Sequence, residues 1–79
     1  MSRILYVLDY LSHNTDAEKG ATLKEIQAYL LNQTNLGAVS VLSIKRDIER
    51  LDTMGYTVGV RKGAHNTAYY YMKERGLHL

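Results

Sequence analysis

The stretch SVLSIKRDIERLDTMGYTVGV, residues 40–60, contains the change in hydrophobic spacing that decides the fold. In its first part the apolar residues recur every three or four positions and fall within one arc at about 100° per residue, which predicts an amphipathic helix. These residues are Val41, Ile44, Ile48, Leu51 and Met54. Ser40 is a favourable N-cap for the backbone N–H of Ser43, and Gly55 suits a left-handed stop. The stretch therefore begins with a helix that has a start and a stop signal.

After Gly55 the spacing changes to a period of two, which predicts a strand. Tyr56, Val58 and Val60 alternate there with Thr57, Gly59 and Arg61. Residues 62–66 have the composition of a turn, and residues 67–72 predict a second strand. Alternation puts Tyr69 and Tyr71 on one face and Tyr70 on the other. At least one face of this tyrosine cluster is expected to pack on the helices, because a lone hairpin is marginal in water and needs a surface. Core packing is favoured over stacking on single-stranded bases.

Two further helices are predicted before residue 40. Residues 3–11 carry an apolar stripe, and the polar segment 13–20 reads as a loop. Thr22, followed three residues later by Glu25, is a capping box that begins the second helix. That helix should fade near Asn32, where turn-forming residues begin. The order of helix, helix, turn, helix and β-hairpin predicts an α+β fold, a winged helix-turn-helix made of a three-helix bundle followed by a β-hairpin wing.

Composition fits one folded domain. The chain has 79 residues, of which 46% are hydrophobic and 23% charged, so disorder is not expected. There is no cysteine, and no apolar run suits a signal peptide or the roughly 20 residues of a membrane span. A cytoplasmic protein with no membrane partner is therefore expected. The net charge is only +2, but residues 40–62 carry +2 whereas residues 1–20 carry −1.

The third helix and its flanks resemble a known family, the winged regulators of the DeoR type, and in particular the N-terminal domain of WYL-domain transcription factors. The family pattern there is Ser-x-x-Thr/Ser-Ile-x-Arg-Asp-Leu/Ile-x-x-Leu, ending in Leu-Gly. The matching residues are Ser40, Ser43, Ile44, Arg46, Asp47, Ile48, Leu51 and Gly55, and the runs 22–26 and 69–71 are also similar. Val41 and Leu42 depart from it, because the family often has basic or polar residues there.

The resemblance implies the reading head of a bacterial transcriptional regulator that binds double-stranded DNA sequence-specifically. The recognition helix, about 41–54, would enter the major groove, and the wing, about 56–72, would lie on the adjacent backbone or minor groove. The domain is expected to span residues 1–72. Residues 73–79 would be a tail or the start of a linker to a C-terminal effector domain outside this sequence. Besides DNA, the expected partner is a second copy of the chain, in a homodimer formed through this domain or through that further domain.

The residues expected to bind DNA lie on the third helix and the hairpin. They are Ser40, Leu42, Ser43, Lys45 and Arg46 on the helix, and Arg61, Lys62 and His65 on the hairpin. Arg46 or Lys45 could reach guanine O6 and N7, and Leu42 could touch a thymine methyl group. Ser43 could reach a base or a phosphate. The hairpin residues, and the helix N-termini at Thr22 and Ser40, would serve phosphates.

Other interpretations of these residues stay open. Lys45 and Arg46 could form a solvated helix face that pairs with Glu49, at spacings of four and three residues. Asp47 is a poor DNA contact because phosphates repel it, so it is interpreted as the structural partner of an arginine, most simply Arg50.

A protein-interaction module without DNA binding is the alternative function, favoured by the apolar Val41 and Leu42. An enzyme is not expected, because no nucleophile–base pair, paired carboxylates or phosphate-binding glycine loop is present. Ser40 is interpreted as a cap rather than a nucleophile. The histidines at positions 13, 65 and 78 lack metal-ligand spacing, so neither a metal nor a cofactor is expected.

Overall fold

The computed structural model describes residues 2–74 and confirms the predicted α+β winged-helix layout, three helices followed by a two-stranded antiparallel hairpin. The elements are α1 (Arg3–Asn14), α2 (Leu23–Gln33), α3 (Val41–Thr53), β1 (Thr57–Lys62) and β2 (Ala68–Glu74), with a short 3-10 turn at Ala64–Asn66 between the strands. The second strand thus continues two residues past the predicted domain end at Met72. The rest of the predicted tail, residues 75–79, lies outside the described residues.

All three helices and β2 contribute to one hydrophobic core. Its buried members are Val7, Leu11, Ala21, Ile26, Leu30, Ile44, Ile48, Leu51 and Met72. On α3 the predicted apolar arc is confirmed at Ile44, Ile48 and Leu51. It is wrong at Met54, which is 52% exposed. The reason is that α3 ends at Thr53 and Met54 is its C-cap, with a backbone that has already left helical geometry.

The start signals of α2 and α3 are confirmed in detail. The Glu25 backbone N–H donates to Thr22 Oγ1 at 3.1 Å, and the Thr22 N–H donates to Glu25 Oε1 at 2.8 Å, which completes the capping box. On α3 the Ser43 N–H donates to Ser40 Oγ at 3.1 Å. Gly55, just after α3, has φ of +94°, as the left-handed stop requires.

The first helix is longer than the predicted 3–11 because side chains satisfy the carbonyl groups of its last turn. Asn14 Nδ2 donates to the Tyr10 carbonyl at 3.1 Å, and Thr15 Oγ1 donates to the Leu11 carbonyl at 2.7 Å. The Thr15 hydroxyl also accepts the Met72 N–H at 2.9 Å. Thr15 therefore ends α1 and ties its end to β2.

A second tie joins the hairpin to the segment before α2. Ala21 and Tyr70 form an isolated antiparallel bridge, with both N–H···O distances 2.8 Å. A one-residue bridge leaves no periodic pattern, and sequence reasoning missed it. Tyr70 packs against the core, so one face of the tyrosine cluster packs on the helices as predicted, whereas the Tyr71 ring lies over Gly59 on the other face. Within residues 2–74, no helix is long and apolar enough to cross a membrane.

Candidate nucleic-acid interface

The face of α3 opposite the core is polar and open. Ile44 and Leu51 are fully buried, whereas Leu42, Lys45, Arg46 and Glu49 are exposed. This separation follows from the helical period of the apolar residues, which commits one side of α3 to the core. The predicted DNA-binding residues of α3 therefore lie on its solvent side, except Ser43, which is half-buried at the flank.

Lys45 and Arg46 have no ionic partner among the side chains of residues 2–73. The structure records two ion pairs there, Arg3 with Asp47 and His13 with Asp9. The alternative in which Glu49 neutralises Lys45 or Arg46 is therefore not what the structure shows. Both cations keep their hydrogen-bond donors available for another molecule.

Asp47 pairs with Arg3, not with Arg50. Arg3 Nε donates to Asp47 Oδ2 at 2.6 Å, and Arg3 Nη2 donates to Asp47 Oδ1 at 3.2 Å. Asp47 is only 2% exposed, so its carboxylate needs these donors. The hydrogen bond to Asp47 raises the pKa of the Arg3 guanidinium above its ordinary value. The prediction of Arg50 was wrong because residue spacing along α3 does not reveal a donor on another helix.

Ser40 and Ser43 build the first turn of α3. Besides accepting the Ser43 N–H, Ser40 Oγ donates to Ser43 Oγ at 3.0 Å. The Ser40 hydroxyl is therefore used in capping, as predicted. Ser43 keeps its own O–H as a donor, because a hydroxyl that accepts one bond can still give one.

Arg61 is turned toward the loop between α1 and α2. Its guanidinium donates to the Ala17 carbonyl at 2.6 Å and to the Glu18 carbonyl at 3.2 Å. The guanidinium carbon also lies 5.7 Å from the centre of the Tyr71 ring, within cation–π range. Arg61 was predicted as a DNA contact, but in this structure it holds the hairpin to the loop.

Lys62 and His65 lie at the far end of the hairpin, where both are exposed. His65 and Asn66 have φ of 57° and 62° and form the turn between the strands. Histidine and asparagine are among the residues that tolerate this left-handed region best. The turn therefore leaves Lys62 and His65 as the exposed polar groups predicted for the wing.

Two depressions flank the start and the middle of α3. One, of about 400 Å³, lies at the N-termini of α2 and α3. It is lined by Thr22, Leu23, Lys24, Val41, Thr67 and Ala68. The other, of about 220 Å³, lies between α3 and the hairpin and is lined in part by Lys45, Glu49 and Val60. Sequence reasoning missed Lys24, an exposed cation on the same side as the α3 N-terminus, because one lysine in a helix gives no signal.

These elements define a winged helix-turn-helix protein by the order and packing of its helices and hairpin. Across residues 2–74, no three potential metal-ligating side chains come together. The chain matches no family model, no curated protein and no solved structure. Its likeness to DeoR-type and WYL-domain regulators therefore stays a resemblance, carried mainly by the residues of α3 and also by residues 22–26 and 69–71.

Proposed function

We propose that this chain binds double-stranded DNA sequence-specifically, as the reading head of a transcriptional regulator of the DeoR or WYL-domain kind. The observation that carries the proposal is the pair Lys45 and Arg46, exposed on α3 opposite the core and without an ionic partner in the described part of the chain. Exposed cations without an ionic partner can replace the counterions of DNA phosphates. An arginine can also donate hydrogen bonds to guanine O6 and N7.

In the proposed complex α3 lies in the major groove with its first turns toward the base edges. Arg46 reads a base, Lys45 serves a base or phosphate, and the Ser43 hydroxyl donates to a neighbouring oxygen. Lys62 and His65 contact the backbone or minor groove beside it. Arg61 is given no DNA contact in this proposal, because two of its donors bond the Ala17 and Glu18 carbonyl groups of the α1–α2 loop. Two copies, joined through this domain or a further one, would read paired half-sites.

The second candidate function is a protein-interaction surface, which the exposure of Leu42 and Val60 favours. The two cations weigh against it, because burial of Lys45 and Arg46 in an apolar interface would cost free energy for each unpaired charge. In a DNA complex the negative phosphates would neutralise these two cations.

Charge-removing variants separate the two functions. Duplexes that bind the chain are first selected from a randomised pool, and their affinity is measured by fluorescence anisotropy for Arg46→Gln and Lys19→Gln. Lys19 is an exposed lysine of the α1–α2 loop and serves as the control. We expect Arg46→Gln to weaken binding at least tenfold and Lys19→Gln to change it less than twofold. Equal effects of the two variants would contradict the assigned role of α3.

A further inference from the structure

Leu42 is an apolar side chain on the polar face of α3. It lies in the first turn of the helix and is 54% exposed. Its neighbours on that face are Arg46 and Glu49, four and seven residues further on, and both are exposed. Packing in the hydrophobic core does not explain a leucine at this position, because Ile44, Ile48 and Leu51 already occupy the buried side of α3.

The position of Leu42 relative to Arg46 is fixed by helix geometry. Residues four apart lie one above the other on a helix surface, separated by about 6 Å along the axis. Successive base pairs are about 3.4 Å apart. A helix that follows the major groove therefore places Leu42 within about two base pairs of the base that Arg46 reads.

The major groove offers one prominent apolar group, the C5-methyl of thymine, and an aliphatic side chain is a suitable contact for it. We propose that Leu42 contacts a thymine methyl group and makes the chain prefer a thymine within about two base pairs of the guanine read by Arg46. This inference rests on the proposed DNA binding and names one chemical feature of the site. A cytosine at that position presents an amino group instead of a methyl group, and an apolar side chain does not bond it.

Leu31 provides a matched comparison. It is 52% exposed, nearly the same as Leu42, but it lies near the end of α2, far along that helix from the Thr22 N-terminus that flanks α3. Truncation to alanine should leave the fold intact at both positions, because both side chains are exposed and alanine is the best helix former. If the two variants differ in DNA binding, the difference therefore comes from the position of Leu42 on α3 and not from the loss of an exposed apolar side chain.

The test replaces single thymines by deoxyuridine, which removes only the methyl group. Duplexes selected from a randomised pool are resynthesised with deoxyuridine at each thymine in turn, and anisotropy titrations follow with the wild-type chain, Leu42→Ala and Leu31→Ala. We expect one thymine, within about two base pairs of a guanine, whose replacement weakens wild-type binding about fourfold, the effect of removing one buried methyl group. Leu31→Ala should keep this sensitivity, and Leu42→Ala should lose it.

Two results would overturn the inference while leaving the proposed function in place. One is selective binding that no deoxyuridine weakens. The other is a deoxyuridine effect that persists in Leu42→Ala. If no duplex is selected at all, both the inference and the proposed function fail. If Leu42→Ala instead lowers the mass of a self-associated species in sedimentation equilibrium and leaves DNA affinity unchanged, Leu42 belongs to a protein interface and the inference is wrong.

Discussion

Arg3, the first residue of α1, and Asp47, in the middle of α3, are joined by two hydrogen bonds of 2.6 and 3.2 Å across 44 positions of sequence. The carboxylate is buried, whereas the arginine side chain is 39% exposed. The pair ties α1 to α3 beside the buried residues Ile44, Ile48 and Leu51, which set the side of α3 that faces outward. Asp47 is thus a buried, paired carboxylate directly next to the exposed Lys45 and Arg46.

Removal of Arg3 should therefore destabilise the chain. We expect Arg3→Leu to lower the free energy of unfolding by about 2–3 kcal/mol, because the Asp47 carboxylate would stay buried without its donors. Arg50→Leu is the matched control, since Arg50 is exposed and has no ionic partner among the side chains of residues 2–73, and it should change stability by less than about 0.5 kcal/mol. Urea denaturation followed by circular dichroism measures both. Equal losses in the two variants would contradict the assigned pair.

Gly20 is predicted to be intolerant of a side chain. A Cβ there would lie 2.9 Å from Tyr69 Cβ and 3.1 Å from the Tyr70 carbonyl oxygen, next to the Ala21–Tyr70 bridge. We expect Gly20→Ala to cost about 1–3 kcal/mol and to speed hydrogen exchange at the Ala21 and Tyr70 amides. Gly59→Ala is the control, because its Cβ would meet the end of the Tyr71 ring, which can turn aside. Protection that survives in Gly20→Ala would refute the role of the bridge.

Arg61 and Lys62 should differ in how they affect DNA binding. The slope of log affinity against log salt concentration counts phosphate contacts, so Lys62→Gln should lower its magnitude by about 1. Arg61→Gln should leave the slope unchanged and lower stability by about 1 kcal/mol, because it loses its hydrogen bonds to Ala17 and Glu18. A reduced slope in Arg61→Gln would show instead that this side chain turns to a phosphate when DNA binds.

Tyr10 and Tyr29 should make the fold sensitive to alkali. Their ring centres are 4.8 Å apart. Burial raises the pKa of both phenols above 10.0, with the charge of Glu25 adding for Tyr10 and that of Asp9 for Tyr29. The folded state therefore favours the neutral phenols, and this stabilisation is present below pH 10 and is lost as the pH rises through the folded-state values.

The expected result is a free energy of unfolding that falls above about pH 10 in the wild type and falls less in a Tyr10→Phe, Tyr29→Phe double variant. Urea titrations at several pH values test it. At pH 7 the two proteins should differ little, because neither phenol is ionised there. If the free energies of unfolding of the two proteins fall equally up to the highest pH, the raised pKa of these phenols is contradicted.

Local patterns predicted the helices and the hairpin, whereas contacts between distant segments could not be predicted. The Ser40 cap, the Thr22–Glu25 capping box and the Gly55 stop each act within a few residues, so spacing reveals them. The Arg3–Asp47 pair and the Arg61 contact to Ala17 each join residues 44 positions apart. A sequence shows that a buried aspartate needs a cation but not which one supplies it. For the same reason the sequence did not reveal that Arg61 bonds the loop between α1 and α2.

The most direct test of the central proposal is a fluorescence-anisotropy titration of duplexes selected from a randomised pool against scrambled duplexes, at about 50 and 200 mM salt. Both the chain and a tandem fusion of two copies are titrated, because one domain offers few contacts. We predict tighter binding to the selected duplexes and a loss of affinity of roughly 40-fold between the two salt concentrations, as three phosphate contacts would give. If neither protein binds at the lower salt concentration, or if both bind scrambled duplexes equally well, then α3 does not read DNA.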